Sequence, residues 1–164
     1  MKATELIRWA LKLTDGGYNA MLEGMHDAAL VQPSEKGGNH AMWLTGHLAF
    51  IEGNVMKILL GEPNPVQHWA KLFETGSKPT TNAGDYPRFD EVLEAYRKGR
   101  ARTLKKLDET GEGGLDRVPD KIPPGFEDGM KTVGHTFMLL ALHHMVHYGQ
   151  LANARRAAGL KPLI

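Results

Sequence analysis

Cysteine is absent from this sequence of 164 residues, and that absence limits the chemistry open to the protein. Without thiols the chain can form no disulfide, offer no thiolate to a metal and use no cysteine nucleophile. Any metal site must therefore be built from nitrogen and oxygen ligands.

Long apolar runs and an excess of one charge are missing as well. No segment approaches the roughly 20 apolar residues that a membrane-spanning helix needs, and residues 1–8 mix in charges where a signal peptide would be apolar. We therefore expect a cytoplasmic protein with no membrane partner. The formal net charge is +1 and the basic residues form only short clusters, so we expect no nucleic-acid partner either.

The composition that remains is that of a globular protein, with 41% hydrophobic and 24% charged residues. The length suits one domain with a sizeable core, which we place at residues 1–164. Apolar residues recur at helical spacing and no stretch alternates with period two, so the predicted class is all-α.

Four segments have the period of an amphipathic helix, and turn-forming residues separate them. The first is expected to bend or loosen at Gly16-Gly17, the second to begin after an Asn39 N-cap, and the fourth to end at Gly159, ahead of Pro162. The four segments cover residues 4–30, 40–60, 89–110 and 132–158.

Two long connections join the later helices, at residues 62–87 and 111–129. The first is rich in proline and is expected to hold one short helical turn at residues 66–73. A loop of this length in a compact domain needs a reason, either to cover a site or to cross the molecule from end to end. The sequence therefore predicts a four-helix bundle with long crossing loops.

The most informative motif lies in the last helix, where His143 and His147 are four residues apart. This spacing puts both imidazoles on one helix face, with Cβ atoms about 5–6 Å apart, within reach of one divalent ion. A stable site needs a third ligand, and His47, in the second helix, is the best candidate. The surroundings of the pair are apolar, and a metal would satisfy both rings there.

Spacing alone leaves one alternative open. His144 lies three residues before His147 and could also share an ion with it, although it points about 100° away from His143. His40 is too far along the helix from His47 to bind the same ion, His135 is expected at the surface, and His26 and His68 have no supporting context.

Motifs for other chemistries do not appear. His144 occupies the position that carries glutamate in an H-E-x-x-H metalloprotease, so that general base is missing. There is no phosphate-binding glycine loop, no G-x-S-x-G elbow and no set of Glu-x-x-His pairs for a di-iron centre. Side chains that could orient an imidazole are Gln150, Asn153, Glu52 and Asn54.

These residues together resemble a known family. His143-x-x-x-His147-Tyr148-Gly149-Gln150, followed by 154–160, is similar to the last helix of the DinB-like superfamily, whose common form is H-x-x-x-H-R-G-Q with a later R-x-x-G. The stretch 43–48, Trp-Leu-Thr-Gly-His-Leu, resembles its second-helix motif, and the order of helices and loops agrees over nearly the whole chain. Tyr148 stands where many members have arginine.

The resemblance implies a four-helix bundle whose metal ligands are His47, His143 and His147, which favours His143 over His144. It also implies zinc or nickel, a homodimer, and transferase or isomerase chemistry on low-molecular-weight thiols, although many members have no established activity. The departure at Tyr148 leaves these ligand positions intact.

Three functions follow as hypotheses. The first is a metal-dependent enzyme that acts on a small molecule, either a thiol S-transferase or a hydrolase. The second is a non-catalytic, stress-associated bundle that binds a metal or a small molecule, and a coordination position open to a pocket would argue against it. The third is that the histidines are core residues and bind no ion.

Overall fold

In a computed structural model, which describes residues 1–35 and 37–161, the chain forms a bundle of helices without a strand, as the sequence predicted. Its α-helices are α1 (Ala3–Leu22), α2 (Ala41–Leu60), a short α3 (Ala70–Phe73), α4 (Phe89–Gly114) and α5 (Val133–Ala157). Within these residues, no helix is both long and apolar enough to cross a bilayer. The expected stop at Pro162 lies outside the described residues.

The four long helices run in an up-down-down-up order, which follows from the two apolar clusters that fill the bundle. At one end, Tyr18 near the end of α1 packs with Leu44 from the start of α2 and Leu151 from the end of α5. At the other end, Ile7 and Val133 from the starts of α1 and α5 belong to the second cluster. Therefore α1 and α5 run parallel, and α2 runs opposite to both.

Helix α4 runs in the same direction as α2, because Tyr96 lies in the first cluster and Leu107 in the second. The connection between these two parallel helices must return along the whole bundle, which explains its length. On the way it places Phe73 against α2, where a Cβ on Gly46 would lie 2.3 Å from the Phe73 ring. Glycine at this position lets the crossing segment approach the helix closely.

The first helix was predicted too long. α1 ends at Leu22 instead of continuing to residue 30, because Gly24 takes a left-handed conformation (φ 75°) and residues Asp27–Val31 form a 3-10 turn. Gly16-Gly17 does not interrupt this helix, since both residues lie inside its continuous span. Gly17 instead allows close packing, because a Cβ there would lie 3.0 Å from the ring of Tyr148 on α5.

The other helix boundaries agree with the prediction within a few residues, but the cap of α2 does not. His40, and not Asn39, is the N-cap, and its Nδ1 accepts a hydrogen bond from the Trp43 amide at 3.2 Å. Asn39 donates its side-chain amide to Gln150 instead. α2 ends at Gly61 in a left-handed conformation (φ 68°), and the predicted end of the third long helix at residue 110 coincides with a break at Gly111.

Candidate metal centre

Three imidazoles meet where α2 faces α5. His47 projects from α2, and His143 and His147 project from successive turns of α5. The Nε2 atom of His143 lies 3.4 Å from Nε2 of His47 and 2.9 Å from Nε2 of His147. Two nitrogens bound tetrahedrally to one zinc ion at about 2.1 Å are about 3.4 Å apart, so the cluster has the size of a metal site.

For two of the three rings the arrangement also meets a second condition, that a ring should present a lone pair to the centre. The Nδ1 atom of His47 lies 2.8 Å from the Phe73 carbonyl oxygen, and Nδ1 of His147 lies 2.9 Å from Oε1 of Gln150. Because an oxygen acceptor requires a proton on Nδ1, the Nε2 atoms of these two rings are the unprotonated ones. Such partners fix the ring orientation of metal-binding histidines.

Trp43 supports the His47 ring from the side. The two rings stack with centroids 4.7 Å apart and planes inclined by 10°, and the Trp43 indole donates to the Ser77 hydroxyl at 2.9 Å. Trp43 precedes His47 by four residues, so helical spacing in the sequence could have indicated this contact. No local feature of the sequence indicated the contact between the Phe73 carbonyl and His47.

Burial sets the protonation of the cluster. It lowers the pKa of His47 to about 4 and, with help from the neighbouring rings, that of His143 to about 3. Burial lowers the pKa of His147 as well. All three rings are therefore neutral near pH 7, which is the form that binds a metal. The three histidines could hold one metal ion.

A cavity of about 500 Å³ opens onto the three rings. Its walls come from α2 and α5, and its far side is closed by Thr75 and Gly76 of the crossing segment and by Phe126 and Met130 of the second loop. The apolar side chains of the two helix walls are Ile51, Val55, Ile58, Leu139, Leu140 and Val146. The crossing connection thus both spans the bundle and covers part of this cavity, which were the two reasons anticipated for its length.

His144 belongs to a different cluster, on another face of α5. Its side chain is 1% exposed, and its Nε2 lies 3.2 Å from Oε1 of Glu52, which also lies 2.9 Å from Nη2 of Arg100. Thr103 donates to the other oxygen of Glu52, and the ring of Tyr96 stacks on that of His144. The structure thus joins His143, and not His144, to His47 and His147.

The buried carboxylate of this second cluster is held in its charged form. Burial alone would raise the pKa of Glu52, but Arg100, His144 and Thr103 outweigh it and lower that pKa to about 2. Glu52 and Arg100 come from facing helices, α2 and α4, and both are almost completely buried. This interhelical ion pair was not anticipated, because neither residue indicates its partner locally.

The remaining candidate residues differ in whether they contact the three histidines. Gln150 contacts His147, whereas Glu52 contacts His144, and Asn153 is exposed and accepts from Arg156. Asn54 lines the cavity, and its side-chain oxygen accepts from Asn64 at 2.9 Å. His26, His68 and His135 are exposed, and His40 is a buried cap, so none of these four joins the cluster.

Two buried imidazoles and one partly buried imidazole at one wall of a cavity form the kind of arrangement from which helical bundles build metal sites between facing helices. The family model of the DinB superfamily matches residues 10–151, and the protein is a member of that superfamily. Members typically bind a metal, and the histidine cluster agrees with that property. A search of curated proteins gives no match.

Proposed function

We propose that this protein binds a divalent metal ion, zinc or nickel, through His47, His143 and His147, and that it is a metal-dependent enzyme acting on a small molecule. The observation that carries the proposal is the position of the three Nε2 atoms, which converge beside a cavity of about 500 Å³. In the part of the chain that the structure describes, the group that could hold a metal has three members. Three protein ligands leave a coordination position for water or substrate, as in catalytic sites.

A bound ion would supply Lewis-acid chemistry, lowering the pKa of a thiol or of water that it binds. The chain's own residues prepare the site for it. Phe73 and Gln150 keep the Nδ1 protons of His47 and His147 in place, so their Nε2 lone pairs point at the common centre. Trp43 packs against the His47 ring, and mainly apolar side chains line the cavity beside the three rings.

Of the two reaction types, we favour thiol S-transfer over hydrolysis. A hydrolase benefits from a general base near the attacking water, and the described lining offers only apolar, amide, hydroxyl and imidazole side chains. The imidazoles are the proposed ligands and are therefore already engaged. A thiol that ionises at the metal needs no further base to act as a nucleophile, so a low-molecular-weight thiol is the proposed small-molecule partner.

Cobalt substitution tests this function directly. The untagged protein is loaded with Co²⁺, a spectroscopic substitute for zinc, and titrated with mercaptoethanol. We expect a thiolate-to-cobalt charge-transfer band that saturates at one thiol per chain, and no such band in His47→Ala. A cobalt spectrum that thiol leaves unchanged would contradict the enzyme proposal and favour the alternative, a non-catalytic bundle with a structural metal.

We also propose that the protein is a homodimer. The outer face of α1 carries Leu6, Trp9 and Leu13 with 40%, 61% and 52% exposure, and the neighbouring α5 exposes Leu142 and Met145. These two sets of exposed side chains lie on helices that pack against each other, and a second copy would cover them.

Sedimentation velocity should show a dimer that Trp9→Glu weakens. Val118→Glu, at a loop residue with 62% exposure, is the control, and a monomeric parent protein would contradict the proposal.

A further inference from the structure

The cavity beside the histidines is a long, mainly apolar cleft with the three imidazoles at one end. From His47 to Ile58 on α2, and from His147 back to Thr136 on α5, each wall extends over twelve residues, or about 16 Å of helix. The histidine cluster lies at one end of the cleft. Beyond it, the described lining consists mainly of aliphatic and aromatic side chains.

Two of the other polar side chains of the cleft, Thr136 and Asn54, have partners inside the protein. The Thr136 hydroxyl donates to the Thr132 carbonyl at 3.0 Å, and the Asn54 oxygen accepts from Asn64. A charged group of a ligand would lose its hydration water at these walls. It would find few polar groups there to take the place of that water. Burying an unpaired charge in such surroundings is strongly unfavourable, whereas burying apolar surface is favourable.

Charged side chains of the same helix surfaces point elsewhere. Glu52 is held between Arg100 and His144 on the opposite side of the cluster, and Lys57, which precedes Ile58, is exposed to solvent. The cleft therefore has two chemically different parts. One is a coordinating end at the three imidazoles, and the other is an uncharged apolar channel of drug-sized volume.

We infer that the substrate has an uncharged, largely apolar body that lies along this cleft, with one coordinating group at the histidine end. Only the coordinating group in this inference rests on the proposed function. The body is identified by the walls of the cleft, whether or not the coordinating group is a thiol. Substrates whose body carries a carboxylate are therefore excluded from productive binding.

A matched pair of ligands tests the inference. Octanethiol and mercaptooctanoate share a thiol and a chain, and differ in the carboxylate at the far end. Their affinities are measured on the metal-free and zinc-loaded protein by displacement of phenylnaphthylamine, an uncharged fluorophore that brightens in apolar sites. We expect octanethiol to bind at least about tenfold more tightly than mercaptooctanoate.

A charge placed in the cleft should change this preference. Ile58→Lys puts an ammonium group at the end far from the histidines, where it should weaken octanethiol and strengthen mercaptooctanoate. Leu60→Lys is the matched control, because Leu60 lies on the same helix two residues away, is 36% exposed and does not line the cleft. It should leave the preference as it is in the parent protein.

The outcomes separate this inference from the proposed function. Equal affinity for the two thiols in the parent protein, no binding of either, or a preference that Ile58→Lys leaves unchanged would each overturn the inference. Octanol, which has the same chain without the thiol, serves as the second reference. If octanol binds as tightly as octanethiol with and without zinc, the thiol function fails while the uncharged body stands.

Discussion

Two polar clusters lie on different faces of α5. The adjacent residues His143 and His144 belong to different clusters. The cluster of His47, His143 and His147 is neutral and opens to a cavity, whereas the cluster of His144, Glu52 and Arg100 contains an ion pair and is enclosed by packed side chains. Both use one residue from α2 and at least one from α5. The comparison shows that the helix face, and not the residue type, decides which histidine can act as a metal ligand.

The difference also separates two roles that a buried polar group can have. In the enclosed cluster, Glu52 forms an ion pair with Arg100 and lies beside His144, and these contacts connect α2, α4 and α5. In the open cluster, the Nε2 atoms of three rings point at one place, and Nδ1 of His143 has no partner within the described residues. Changes to the first should therefore affect stability, and changes to the second should affect binding.

The largest expected effect is on stability, from breaking the enclosed ion pair. Glu52→Leu leaves Arg100 buried without a counter-charge, so we expect the free energy of unfolding to fall by about 3–5 kcal/mol. Urea denaturation measures it. Glu62→Leu is the matched control, since Glu62 pairs with Arg102 at a partly exposed position, where about 0–1 kcal/mol is expected. Equal losses in the two variants would mean that the Glu52 cluster is not a structural tie.

A second effect should appear in metal binding and leave stability almost unchanged. Gln150→Ala removes the acceptor that holds the His147 ring, so we expect zinc affinity to fall by about 10–100-fold. Competition with a chelating dye measures this affinity. Asn153→Ala, three residues further along α5 and exposed, should bind zinc like the parent protein. A Gln150→Ala variant with the parent's affinity would show that the ring orientation does not depend on Gln150.

A smaller effect concerns how the stability of the metal-free protein depends on pH. The folded-state pKa values of His47 and His143 are lowered from 6.5 to about 4 and about 3, so below about pH 6.5 the unfolded chain takes up protons that the folded chain refuses. Stability should therefore decrease as the pH falls through this range. Glu52, whose pKa is lowered from 4.5 to about 2, keeps its contribution until the pH falls below 4.5.

Thermal unfolding at about pH 7.5 and about pH 5 measures this loss in the presence of a chelator. His144 adds to it, because burial lowers its pKa too. In His47→Gln the loss should be smaller than in the parent protein, since one titrating group is gone. An equal loss in both proteins would contradict the assignment of a lowered pKa to His47.

The local features of the fold were largely predictable from the sequence. Helical spacing of apolar residues located most boundaries of the long helices, and Gly159 located the end of α5, because these features act within a few residues of the chain. The end of α1 was missed because the left-handed turn at Gly24 interrupts an otherwise helical pattern. The cap of α2 was missed because histidine seldom takes the place of asparagine there.

The site was predictable only in part. Spacing within one helix brought His143 and His147 together, but His47 is 96 residues from His143, and no local rule joins such distant positions. His47 was only the best candidate among the histidines, and the family resemblance then implied the same residue and favoured His143 over His144. Contacts between different elements, such as Phe73 with His47 and Arg100 with Glu52, have no counterpart in the sequence pattern.

Metal content tests the central claim most directly. Untagged parent protein, His47→Ala and His144→Ala are purified in parallel, and their divalent metals are measured by elemental analysis, with circular dichroism to verify folding. The account predicts about one ion per chain in the parent and in His144→Ala, and none in His47→Ala. A folded His47→Ala protein with the parent's metal content would contradict it.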